Sequence, residues 1–121
     1  MSDDQESGGD RQARIVARER FARALRIFAE AQDVTGYALV LDGFAILALR
    51  EGDRSRAARL SGAVSRLERA SGTGLNMWNR TSLNFNPEEL RQDAALTDDF
   101  AEGEMLSDAE AVDYALEGCD V

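Results

Sequence analysis

Residues 37–49 read YALVLDGFAILAL, and Arg50-Glu51-Gly52-Asp53 follows at once. Only Asp42 interrupts the apolar run. As a helix the run would cover about 20 Å, short of the roughly 30 Å hydrocarbon core of a bilayer, so it reads as a buried helix. Its apolar residues fall on nearly all sides of a helical wheel, the pattern of a helix covered by several neighbours. Thr35 before it offers an N-cap, Gly52 suits the left-handed position just past a helix end, and Asp53 suits the next N-cap. The second helix is therefore placed at 35–51.

Upstream, Ala17, Phe21, Ala24, Leu25, Phe28 and Ala31 form one apolar stripe at helical spacing, which places a first helix at about 10–33. Arg14, Arg18, Arg26 and Glu30 lie largely off that stripe. Downstream, Ala57, Leu60, Val64 and Leu67 place a third helix at 53–71, and its small Ser61, Gly62 and Ala63 predict a close approach to the second helix. Short connections predict antiparallel neighbours. Residues 73–86 fit neither helix nor strand for long. Asn86-Pro87-Glu88-Glu89 is a helix start, running weakly to about residue 95, with a further turn over 98–102. Ser107 and Glu110 form a capping box that opens a last short helix with Val112, Ala115 and Leu116 on one face. Nothing alternates with period two for long enough to make a sheet. The predicted class is all-α.

Composition narrows the function. The chain has 121 residues and a formal charge of −9, with 14 Arg, no Lys, no His and a single Cys. That length implies one domain, placed at 11–121, behind an acidic lead-in at 1–10 that reads as disordered and has no signal-peptide core. Without His there is no imidazole base and no His-containing zinc site; without Lys there is no Schiff-base or phosphate-loop lysine. The lone Cys119 cannot close an internal disulfide, which points to a cytoplasmic setting. An acidic chain is a poor general binder of nucleic acid or anionic membrane. The charge is also segregated: −4 over residues 1–10, +5 over 11–69 and −10 over 70–121. The acidic C-terminal segment is thus expected to fold against the Arg-bearing helices, in the same or a neighbouring subunit.

The residues 42–53 (DGFAILALREGD), followed by 57–63 (AARLSGA), form a specific pattern. Residues 100–107 (FAEGEMLS) with Glu110-Ala111-Val112 supply a second. Together they resemble the degenerate tetratricopeptide-like C-terminal region of actinobacterial multidomain regulators, among them LuxR-type transcription factors, predicted signalling ATPases and adenylate cyclases. The separation of Ala22 and Ala57 is near the repeat length of about 34 residues. The sequence carries no ATPase, cyclase or winged DNA-binding part, so the resemblance implies antiparallel helical hairpins with a short C-terminal cap, an interaction region and no catalytic chemistry. About three such repeats are usually needed to bury their own faces. Here there are roughly one and a half to two, so a homodimer or a capped pair is expected.

The expected function is a non-catalytic, regulatory protein–protein interaction module of bacterial origin, with a protein partner or itself, no nucleic acid and no membrane. Catalytic, cofactor and metal residues are expected to be absent; the acids of 93–110 match no EF-hand spacing and read as a solvated surface. Contact residues are sought in the loop that holds Trp78, Arg80 and Phe85, and in Arg18 and Arg26 of the Arg-rich first helix. Trp78 and Phe85 have a second reading as anchors that pin the loop to the core. Asp42 reads as a structural ion pair with an Arg of the first or third helix, or as partly exposed, with a place in a ligand groove as the remaining option. The alternative function is a small-molecule sensor with its groove between the second and third helices.

Overall fold

The computed structural model describes residues 8–71 and 87–117, and every element among them is helical. In chain order these are α1 (Gly8–Ala31), α2 (Val34–Arg50), α3 (Arg54–Ser71), α4 (Pro87–Gln92), a 3₁₀ turn (Ala94–Leu96), α5 (Thr97–Glu104) and α6 (Asp108–Leu116). The chain is all-α as its periodicity implies. Residues 73–86, with Trp78, Arg80 and Phe85, lie outside the described residues, as does Cys119.

Both corners of the first three helices use one device. At the end of α1, Gln32 turns left-handed (φ 55°), and the amides of Gln32 and Asp33 donate back to Ala29 O (3.2 Å) and Phe28 O (2.9 Å). At the end of α2, Gly52 (φ 84°) and Asp53 donate to Leu49 O (3.1 Å) and Ala48 O (2.8 Å). In each corner the Asp then opens the next helix: Asp33 Oδ1 accepts from Gly36 N (3.0 Å) and Asp53 Oδ1 from Arg56 N (3.1 Å). These doubled caps leave few orphan backbone groups and fix sharp reversals. Gly52 and Asp53 take their expected places. Thr35 does not; the cap is Asp33, two residues earlier, and Thr35 sits inside the first turn.

The α1–α2 hairpin is antiparallel, with Phe28 over Gly36 and Phe21 over Gly43, each glycine leaving room for an aromatic ring. Phe21 also meets Phe44 edge-on, with centroids 5.7 Å apart. At the open end Arg14 and Arg18 both reach Glu51. On the other side of α2 lies α3, and α5 packs against α3, with Arg54 paired to Asp93 ahead of α5 and Arg69 to Glu104 at its end. The small Gly62 serves this second contact. A side-chain carbon there would collide with Phe100 O, and one at Gly103 with Arg59 O, so two glycines let the backbones of α3 and α5 touch. The expectation that Gly62 faces α2 is corrected: α5 occupies that face.

Burial follows. Leu25, Leu41, Leu60 and Leu67 are fully enclosed, each favouring the fold by roughly 1.5–3 kcal/mol relative to exposure. Leu90, Leu96, Phe100 and Val112 bring the C-terminal elements into the same core. α6 packs against α1, α2 and α3 through Ala111, Val112 and Ala115. The acidic segment therefore folds back on its own chain. Two boundaries differ from expectation. α4 stops at Gln92, because Asp93 is extended and caps the following 3₁₀ turn through Ala95 N (2.9 Å). α5 is two turns long and not the single turn expected.

Candidate functional site

The helix α1 buries Ala22 and Leu25 completely, whereas Ala17, Phe21 and Ala24 are half-buried and Ala31 is exposed. Its apolar stripe is thus rotated away from the core, and one flank faces out. On α2 the matching residues are Leu39, 42% exposed, with Val40, Gly43, Ile46 and Leu47. Between them runs a groove of about 500 Å³, walled by α1 and α2. Its lining is apolar apart from Arg20 and Arg50. A shallower extension continues along α1 past Val16 and Ala13 to Gln12. Gly43 sets the floor: a side-chain carbon there would stand 3.0 Å from the Phe21 ring, so any larger residue would lift that ring.

α2 packs against α1, α3 and α6, the several neighbours that its all-round apolar character implies, and an apolar groove stays open on its α1 side. The residues that make it, Leu39, Ile46, Arg20 and Arg50, were not singled out by sequence reasoning. A signal existed: the stripe of α1 is wider than one neighbour can cover.

The arginines divide into two sets. Those of α3 meet the C-terminal acids: Arg54–Asp93 (2.9 Å), Arg59–Asp99 (2.8 Å), Arg59–Glu102 (3.0 Å), Arg66–Asp108 (2.6 Å) and Arg69–Glu104 (2.8 Å). Arg56 instead donates to Tyr114 O (3.1 Å) and Ala115 O (3.0 Å), capping the end of α6, and its guanidinium lies 4.8 Å from the Tyr114 ring centroid. Arg59 also donates to the Tyr114 hydroxyl (3.4 Å), which, with Asp99 and Glu102 nearby, raises its pKa above the ordinary value. The acidic surface met by the third helix is therefore the chain's own. Arg18 is engaged by Glu51, and Arg26 is half-buried on α1. Arg20 and Arg50 belong to the second set and, like the exposed Arg11 and Arg23, have no carboxylate partner among the described residues; of these four only Arg20 and Arg50 line the groove.

Asp42 is fully buried, which removes the partly exposed option. Among the described residues no group of three or more His, Cys, Asp or Glu side chains could hold a metal ion, and no helix is long and apolar enough to cross a membrane. A second cleft beside α6 is lined by Gln32, Asp108 and Asp113; Asp108 pairs with Arg66, and no nucleophile stands among the lining residues. Comparison of the chain with protein-family profiles, curated proteins and solved structures finds no match.

Proposed function

We propose that this chain is a non-catalytic helical interaction module, a short tetratricopeptide-like stack closed by its own C-terminal cap, whose docking face is the α1–α2 groove. The observation that carries the reading is the groove itself: an apolar channel walled by two core helices, with Leu39 exposed at its edge. Apolar clefts between packed helices are where bundles and repeat proteins receive helical segments of other proteins. Regulatory association in a bacterial cytoplasm is the setting that goes with the family resemblance and with the lack of paired cysteines. A groove of this size also lies in the range of small-molecule sites, roughly 300–1,000 Å³, so an apolar metabolite is the second reading.

Affinity capture of the full chain from its native cell tests both. Leu39→Asp puts a charge at the groove edge, and Met105→Asp, at a position 84% exposed and outside the groove, is the control. One stoichiometric protein retained by the native chain and by Met105→Asp, and lost with Leu39→Asp, is the expected result. Retention by all three would remove the groove from the account. Thermal stabilisation by a metabolite, abolished by Leu39→Asp, would favour the sensor.

A further inference from the structure

We infer that the occupant of the α1–α2 groove is an amphipathic helix of a partner protein whose apolar ridge is flanked by carboxylates, which pair with Arg20 and Arg50. The inference rests on reading the groove as the docking face, and it adds the partner's chemistry.

The argument is one of charge left over. The ion-pairing arginines of α3 meet acids of the same chain, and Arg14 and Arg18 share Glu51. Arg20 and Arg50 stand on opposite walls of the groove, have no carboxylate among the described residues, and no carboxylate lines the groove with them. A partner that covers the groove with apolar side chains and carries no acid would bring both guanidiniums toward a drier surface without compensation, which is unfavourable. Carboxylates beside its ridge reverse the sign. From Gln12 to Ala24 the α1 wall is roughly 18 Å long, the length of about three helical turns, which suits anchors at i, i+3 or i+4, and i+7.

A second copy of this chain fits less well. Facing grooves would set Arg20 and Arg50 against the same residues, and the acid-rich helix a copy would need to offer, α6, already buries its apolar face in its own core. An anionic membrane is likewise disfavoured, because a concave channel on a chain of net charge −9 is not a convex basic face.

The test uses the full chain and two synthetic helical peptides, each about 15 residues long with the same Leu ridge, one flanked by Glu and the other by Lys. Fluorescence anisotropy is expected to show the Glu peptide binding at least about tenfold tighter at low salt, with the preference shrinking as salt rises. Arg20→Glu with Arg50→Glu is expected to reverse the preference, and the milder Arg20→Gln with Arg50→Gln to erase it; both residues are exposed, and circular dichroism checks the fold. Equal binding of the two peptides, lost for both in Leu39→Asp, would overturn the charge inference while leaving the docking reading in place. Binding of neither peptide by the native chain would overturn both. So would binding to phosphatidylserine-containing vesicles in place of the peptides. A dimer in sedimentation that Leu39→Asp dissociates would assign the groove to a second copy and overturn the inference.

Discussion

Gly62 and Gly103 show how a single position can carry a helix crossing. An exposed helical Gly→Ala substitution ordinarily stabilises, by up to about 1 kcal/mol, because Ala restricts the unfolded chain. Here the sign should reverse. The added carbon at 103 would overlap the Arg59 carbonyl, and that at 62 the Phe100 carbonyl, both rigid backbone atoms. Gly103→Ala is expected to cost about 2–3 kcal/mol, read as a fall in denaturation midpoint at unchanged m-value. Any gain in stability would show that α3 and α5 do not touch in this way. Sequence reasoning flagged Gly62 as a place of close approach but assigned it to the wrong neighbour. A small residue announces that something comes near; only long-range packing decides what. Asp42 is similar: its cost if buried was legible, and its depth was not.

At the scale of elements, signals set by adjacent residues were the ones legible in advance. Gly52, Asp53 and the Ser107–Glu110 capping box act within a few residues of themselves, so their geometry is local. The cap at Asp33 was missed because two candidate residues stand two positions apart, and the left-handed Gln32 that favours the earlier one is not a glycine. The groove was missed for another reason. Periodicity shows that α1 has an apolar face, but not which half of that face the core takes. The capping box gives a direct test. Ser107→Ala is expected to lower stability by about 1 kcal/mol, seen in thermal melts. The Ser107 backbone amide first, and its hydroxyl second, hold Glu110 below the usual carboxylate range; the Ala95 amide first, and Arg54 second, do the same for Asp93. A depressed pKa adds stability that is fully present above the unfolded-state value and is lost as pH falls through the folded one. Between pH 7 and 5 the C-terminal elements should therefore be insensitive, and they should loosen below about pH 4. NMR shifts of the Ser107 and Ala95 amides are the readout; midpoints at or above ordinary carboxylate values would contradict the caps.

Across the whole molecule the question is what holds the acidic segment to the Arg-bearing bundle. The charge segregation was legible from the sequence, yet it does not follow that charge dominates. The ion pairs of α3 join side chains that are 15–62% exposed, and pairs of that kind contribute about 0–1 kcal/mol each, partly screened by salt. Leu90, Leu96, Phe100 and Val112 of the same segment are at most 9% exposed, and each favours docking by roughly 1.5–3 kcal/mol. Apolar burial therefore outweighs the ion pairs, whose main effect is to select the docked position: Arg54 and Arg59 meet acids ahead of and within α5, and Arg66 and Arg69 meet Asp108 just past it and Glu104 at its end. Arg56 departs from simple charge matching by taking backbone carbonyls at the end of α6, which no charge count could foresee. Phe100→Ala is expected to cost about 3–5 kcal/mol, while Arg66→Gln costs less than about 1 kcal/mol. Raising NaCl from about 0.05 to 0.5 M should then move the melting temperature by a few degrees at most. If Arg66→Gln or salt proved as damaging as Phe100→Ala, the segment would be held by charge, and deleting residues 87–121 would leave a folded bundle with a bare basic face. With burial dominant, that deletion removes Leu90, Leu96, Phe100, Ala111, Val112 and Ala115 from the core at once, and the remaining helices should lose cooperative unfolding altogether.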